Sequence, residues 1–238
     1  MSTTAKVMRI DKPSTEVAVL KLRFPAGTRA KFRAGQYLKV MLDDGQERCF
    51  SMANPPHGND GVELHVRYLQ GGRFSEAVFA TMKPGDTVTL RLPQGDFFLR
   101  EGNKPIVFVA GGTGFAPAQS FIEDMLRRQI NRPVRLYFGG RTPELLYRDA
   151  LAKQWVGKRP GLVYVPVVSS PAGDDRNGRT GLVHEAVIAD LPTLAGLEVY
   201  ACGAPAMVAA ARDAFVAHGM TAGDFFCDAF ASSVELAG

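Results

Sequence analysis

Three glycines fall within four residues, Gly111-Gly112-Thr113-Gly114, between the apolar run at 106–110 and a helical pattern that follows. Glycine lets a ligand approach backbone N–H groups that a Cβ would shield, and a helix start gathers those donors at a positive end. Phosphates or a flat ring are the chemistry such a loop suits. The spacing is G-G-x-G, not G-x-G-x-x-G, and no acidic residue closes a strand about 20 residues on. Taken alone, the loop fits a plain strand-to-helix turn equally well. A second candidate, Gly72-Arg73-Phe74-Ser75, also opens a helix after a strand. Its N–H groups and the Ser75 hydroxyl suit a pyrophosphate, and they suit an ordinary helix cap just as well. Arg48-Cys49-Phe50-Ser51 sets a cation, a flat ring and a hydroxyl side by side, though alone it reads as a surface charge and a core ring. Cys202-Gly203 ends a further strand, where a lone cysteine is more often buried structure than chemistry. His57, His65, His184 and His218 lack ligand spacing, so no metal is expected, and no G-x-S-x-G nucleophile motif occurs.

The elements that position these residues divide into two kinds. From Ala5 to about Leu99, short alternating strands broken by turn residues predict an antiparallel β-barrel or sandwich. Strands are expected around residues 17–22, 36–42, 48–53 and 87–92, with a short helix over 74–82. Residues 62–66 alternate Val62, Leu64 and Val66 with Glu63, His65 and Arg67, which predicts a half-buried strand. After Gly102-Asn103-Lys104-Pro105, buried strands at 106–110, 134–138, 162–168 and 198–201 alternate with helices, the pattern of a parallel α/β sheet. Phe121, Ile122, Met125 and Leu126 form the apolar face of the first helix, with Glu123, Asp124, Arg127 and Arg128 opposite. A polar, mobile loop is expected at 169–181, an Ala-rich helix at 206–218 and a last strand over 225–231. The domains are placed at 1–101 and 102–238.

At 238 residues with 46% hydrophobic content, the chain can bury an ordinary core. It carries no stretch of 18 apolar residues and no apparent leader, so a soluble cytoplasmic protein without membrane association is expected. Cys49, Cys202 and Cys227 are too few and too far apart for a disulfide framework or for the four thiolates of a ferredoxin-type cluster. The net charge of +4 is spread without a basic block, which argues against nucleic acid and leaves a mild pull on an acidic partner.

Four stretches in this order resemble the ferredoxin–NADP reductase superfamily over essentially the whole chain. They are Arg48-Cys49-Phe50-Ser51, Gly72-Arg73-Phe74-Ser75, residues 111–117 and Cys202-Gly203-Ala204-Pro205. The short length and the ending Phe226-Cys227-Asp228-Ala229-Phe230 are most similar to NAD(P)H:flavin reductases and to the FAD/NAD modules of oxygenase reductases. The resemblance implies a flavin-binding barrel followed by a nucleotide domain, with hydride passing from nicotinamide C4 to flavin N5. It assigns Arg48 to the flavin phosphate, Phe50 to a wall of the slot and Ser51 to N5. His65, Val66 and Arg67 would flank the ribityl chain and phosphates, and the turn from Gly72 to Ser75 the pyrophosphate, which makes the flavin FAD rather than FMN. Phe50 lacks the hydroxyl of the more common tyrosine, which favours a dissociable flavin, and the phosphate turn outweighs it. Gly111, Gly112, Thr113 and Gly114 would bind NAD(P)H near its pyrophosphate. Gly139, Gly140 and Arg141 would touch the adenosine part, and Cys202 and Gly203 the nicotinamide. Asp228 would lie near nicotinamide C4, and Phe230 would cover the flavin. No cluster selects a 2′-phosphate, so NADH is favoured over NADPH.

The implied activity is an FAD-dependent NAD(P)H oxidoreductase that passes hydride from nicotinamide to flavin and electrons on to a separate iron–sulphur or oxygenase partner. A flavin reductase using free flavin as substrate is the alternative within the enzyme class, and a non-catalytic flavin- or nucleotide-binding regulatory module is the alternative outside it. A monomer is expected.

Overall fold

The structure, a computed structural model, describes residues 1–170 and 178–230. Residues 171–177 of the expected loop at 169–181, and residue 231 of the expected last strand, lie outside the described residues. Two compact units form, one from residues 1–100 with 116–129, the other from 101–115 with the described residues from 130 onward.

The first unit is a six-stranded antiparallel sheet built from β1 (Ser2–Asp11), β2 (Val17–Arg23), β3 (Tyr37–Met41), β4 (Glu47–Ser51), β5 (Gly61–Arg67) and β6 (Thr87–Gln94), with α1 (Arg73–Ala80) between β5 and β6. The order is β4-β3-β6-β1-β2-β5, and the two end strands meet through a single bridge, Met52 to Leu64. Period-two patterning sends Val7, Leu20, Leu38, Leu64 and Leu90 into one core. Each such side chain contributes about 1.5–3 kcal/mol on burial.

Strand β5 departs from the expected half-buried pattern. Glu63 and His65 are buried along with Val62, Leu64 and Val66. One neighbour of Glu63 is the helix α2 (Phe115–Arg128), whose residues from 116 on pack with the first unit. The sequence boundary at 101/102 assigns them to the second half, yet Phe121 meets Phe97 at 5.5 Å between ring centroids, and Gln119 reaches the Glu63 carboxylate at 3.1 Å. Asp124, expected on the polar face, is buried as well and accepts a hydrogen bond from Arg128 at 3.1 Å.

The second unit holds a six-stranded parallel sheet of β7 (Ile106–Gly111), β8 (Val134–Gly140), β9 (Leu162–Val168), β10 (Arg179–Thr180), β11 (Glu198–Gly203) and β12 (Phe225–Ala229). Helices α3 (Asp149–Lys158), α4 (Val183–Asp190) and α5 (Pro205–Ala217) connect them. The order β10-β9-β8-β7-β11-β12 reverses direction between β7 and β11. In open parallel sheets, ligands sit outside the carboxyl ends of the strands at such a reversal. At the opposite end, buried Arg132 and Glu198 pair at 2.7 Å, and the Tyr200 hydroxyl donates to the same carboxylate at 2.9 Å.

Candidate functional site

In the first unit the candidate residues gather on the end strands. Beyond the Met52–Leu64 bridge, β4 and β5 have no ladder partner on their outer edges, so backbone polar groups there are open to a ligand. Ser51, paired in register with Tyr37 of β3, is 5% exposed, and its Oγ has no hydrogen-bond partner. An unsatisfied buried hydroxyl costs about 1–3 kcal/mol, which a ligand acceptor would recover. Arg48 is half-buried and donates to the Gln46 side chain at 2.6 Å and to the Glu47 carbonyl at 2.9 Å, with no carboxylate partner among the described residues. Phe50 packs on the barrel core, 5.2 Å from Phe74 of α1, so the Arg48 and Gly72 motifs lie together. Cys49 between them is exposed.

The phosphate turn differs in detail from its expected form. Ser75 is buried, its hydroxyl donates to the Gly72 and Leu69 carbonyls at 2.9 and 3.1 Å, and it accepts from the Leu69 N–H at 3.1 Å. It neither caps α1 nor is free for an anion, because its one proton already closes the turn; the helix N-cap is Gly72, with no side-chain cap. Arg73 pairs with Asp44, whose carboxyl is held below its ordinary range first by the Gln46 N–H and then by that guanidinium. Arg67 is exposed and faces Glu16 at 3.6 Å. Val66 is fully in the core, and the His65 ring contacts the Glu63 carboxylate at 3.1 Å, so these two present backbone, not side chain, to the open edge.

In the second unit the glycine loop closes on the β11 end. Gly112–Gly114 form a short 3-10 turn after β7. A Cβ on Gly114 would stand 2.0 Å from the Cys202 carbonyl oxygen, so only glycine permits that approach. Gly112 has φ +53° and nothing within 4 Å of its absent Cβ, leaving an open place beside the N–H groups of the turn. Cys202 is in register with Ala110 on one side and Asp228 on the other, and Gly203 with Ala229. Burial pushes the Cys202 thiol well above its ordinary value, and the nearby Asp228 and Cys227 add to that, so it stays a neutral thiol. Thr113 and Asp228 are half-buried; so is Phe230, whose N–H donates to the Gly203 carbonyl at 2.8 Å. Gly139 pairs with Gly111 across β8 and β7, and Gly140 and exposed Arg141 follow on the same carboxyl edge.

Two participants were missed from sequence. Met207 of α5 lies against Gly111 and Gly203, its sulphur 2.5 Å from where a Gly111 Cβ would stand; nothing in its sequence context marks it. Gln119 is buried with an unpartnered Oε1, and only the packing of α2 on β5 reveals it. Among the described residues, no group of three His, Cys, Asp or Glu could hold a metal ion, and no helix is long and apolar enough to cross a membrane.

The buried orphan hydroxyl of Ser51 and the open glycine turn fit a flavin and a dinucleotide respectively. Comparison with known proteins bears on both. Residues 4–99 match the family model of the oxidoreductase FAD-binding domain, and residues 108–213 that of the oxidoreductase NAD-binding domain. The chain is 44% identical over 230 residues to the CDP-6-deoxy-L-threo-D-glycero-4-hexulose-3-dehydrase reductase of Yersinia pseudotuberculosis, covering 96% of this chain and 68% of that protein. It is 40% identical to reductase component 2 of the Comamonas terephthalate 1,2-dioxygenase, with coverage of 96% and 68%. Among solved structures, the Amycolatopsis cytochrome P450 reductase GcoB superposes with a TM-score of 0.90 at 30% identity, covering 97% of this chain and 70% of that one.

Proposed function

Since the chain belongs to the ferredoxin–NADP reductase superfamily and is an FAD-dependent NAD(P)H oxidoreductase, we propose which residues carry its reaction and where its electrons go. FAD, when bound, supplies the ring that takes hydride from the nicotinamide and gives up electrons one or two at a time. The observation that carries the assignment is the unpartnered Oγ of buried Ser51, which we assign to flavin N5. Arg48, which meets no carboxylate among the described residues, holds phosphate bidentately. Phe50 and Phe74 wall the slot, with Cys49 on the solvent side. Arg73, Arg67 and the N–H groups at the start of α1 add positive field, while Gly72 and Ser75 shape the turn without direct side-chain contact. His65 and Val66 offer backbone groups along the open edge of β5.

In the second unit, Gly111, Gly112, Thr113 and Gly114 hold the pyrophosphate of the nucleotide. Gly139, Gly140 and Arg141 line its adenosine end, and NADH is the donor. Cys202 and Gly203 make the nicotinamide floor. A neutral, polarisable thiol there adds no charge that would oppose a ring becoming cationic as hydride leaves. Asp228 lies beside that floor and favours the oxidised nicotinamide by charge, and Phe230 follows it, its N–H on the Gly203 carbonyl.

The acceptor is a separate protein carrying a one-electron centre or an oxygenase component; this reading is supported by the name of the Comamonas relative, the reductase component of a dioxygenase, and by that of the Yersinia relative, the reductase of a dehydrase. The test is retention and use of flavin. After loading with FAD and desalting, the protein should keep one flavin per chain and oxidise NADH with protein acceptors faster than with free flavin. Loss of flavin on the column, with fast turnover on added flavin, would instead identify a flavin reductase.

A further inference from the structure

The tip of Met207, on the first turn of α5, fills a notch that two glycines leave open at the carboxyl edge of the parallel sheet. Its sulphur is 2.5 Å from where a Gly111 Cβ would stand, and its terminal methyl is 2.8 Å from where a Gly203 Cβ would stand. A Cα–Cβ bond adds about 1.5 Å, so the sulphur lies at most about 4 Å from the Gly111 Cα, in van der Waals contact. The thioether thus packs between the glycines that the proposed nucleotide site takes from β7 and β11. The open place at Gly112 is one residue along the chain from this contact.

A thioether is an apolar group that a mild oxidant turns into a polar one. Of the eight methionines in the chain, only Met207 and Met220 belong to the second unit. Met220 is 4% exposed, whereas Met207 is half-buried and within reach of a small oxidant.

We propose that Met207 is an oxidation site through which peroxide lowers the affinity of this chain for its nicotinamide nucleotide. The proposal rests on the reading that the turn from Gly111 to Gly114 holds the nucleotide pyrophosphate. Hydrogen peroxide gives one oxygen atom to the Met207 sulphur: the O–O bond breaks, an S–O bond forms, sulphur loses two electrons and the peroxide leaves as water. Peroxide is also what a reduced flavin makes from dioxygen when no acceptor takes its electrons, so the oxidant arises where the donor is being consumed unproductively. The sulfoxide oxygen is a hydrogen-bond acceptor, and the glycine side of the notch is already filled. It either lifts the side chain away from both glycines or turns toward Gly112 and competes with phosphate for N–H groups of the turn. Both outcomes weaken nucleotide binding. Every group involved belongs to the second unit, so FAD held by the first unit is retained.

The test treats the FAD-loaded protein with hydrogen peroxide and removes the excess with catalase. Peptide mass spectrometry then locates added oxygen, calorimetry measures binding of NAD+, and absorbance gives flavin per chain. Met207 should gain one oxygen, NAD+ binding should weaken about tenfold through loss of a donor to a charged phosphate, and flavin content should not change. Methionine sulfoxide reductase with dithiothreitol should restore binding, while dithiothreitol alone, which repairs oxidised Cys49 or Cys227, should not. Met207→Leu, whatever its own affinity, should bind NAD+ equally before and after peroxide. Oxygen on exposed Met1 and Met8 but not on Met207, oxidised Met207 with unchanged binding, or equal loss of binding in Met207→Leu would overturn the proposal. Failure of the untreated protein to bind NAD+ would defeat the nucleotide reading and the proposal with it, whereas binding that survives oxidation of Met207 defeats the proposal alone.

Discussion

Replacing Ser51 with alanine separates the cost of a buried hydroxyl from its use. In the flavin-free protein that Oγ is buried and unpartnered, so its removal gives up no hydrogen bond. The penalty relieved is about 1–3 kcal/mol, partly offset by the small void left behind. The flavin-free variant should therefore melt at or above the temperature of the natural protein. With FAD present the balance reverses. A neutral hydrogen bond to the ring contributes about 0.5–1.5 kcal/mol, or about 2- to 13-fold in FAD affinity. As charge arrives on the ring the same bond becomes charge-assisted and reaches about 1.5–3 kcal/mol, or about 13- to 160-fold in the rate of flavin reduction. Thermal melts without flavin, an FAD titration and anaerobic stopped-flow with NADH give the three quantities. A flavin-free variant that melts lower, or a reduction rate that falls no further than the affinity, would refute this reasoning.

Gly114→Ala puts a methyl group 2.0 Å from the Cys202 carbonyl, so the turn must open by about 1 Å or more. The expected result is a loss of about 1–3 kcal/mol in stability and a KM for NADH raised about tenfold, with FAD binding unchanged in an equilibrium titration. Glu198→Gln leaves Arg132 buried without its counter-charge, and denaturant unfolding should show a loss of about 3–5 kcal/mol. At alkaline pH two groups act in the same direction. Cys202 is pushed well above its ordinary 9.0 by burial, and Tyr137 is pushed from 10.0 up to about 12 by burial and by Asp190. The folded state then holds protons that the unfolded chain gives up, so stability is full below about pH 9 and falls as pH rises toward 12. Melting curves of Cys202→Ala should be flatter from about pH 9 upward, and those of Tyr137→Phe from about pH 10 upward.

Local pattern made much of the fold legible. The short strands broken by turn residues up to about Leu99 and the apolar run at 106–110 announce an antiparallel sheet followed by a parallel one, and that is the observed order. What the sequence hid depends on long-range packing. Glu63 and His65 alternate with valine and leucine as solvent-facing residues do, yet both are buried, with Gln119 of α2 and the His65 ring both meeting the Glu63 carboxylate. Asp124 sits on the charged side of its helical pattern yet is buried, accepting from Arg128 one turn on. The first residues of β1, Ser2-Thr3-Thr4, are polar and escape a hydrophobic period, yet they pair with β6. Ser75 carried a motif whose backbone shape is present while its hydroxyl is spent inside the turn. The site residues that could be named in advance lie in glycine-rich or strand-end motifs, where local chemistry is distinctive; Met207 and Gln119 were invisible because their importance comes from what they are packed against.

The central claim is that FAD bound to this chain is reduced directly by NADH. The most direct measurement is the visible flavin absorbance of the FAD-loaded, desalted protein after anaerobic mixing with one equivalent of NADH. The account predicts that the yellow colour bleaches in a single turnover and returns on admitting an oxidant. Flavin that stays bound and yellow while NADH remains unconsumed would contradict it.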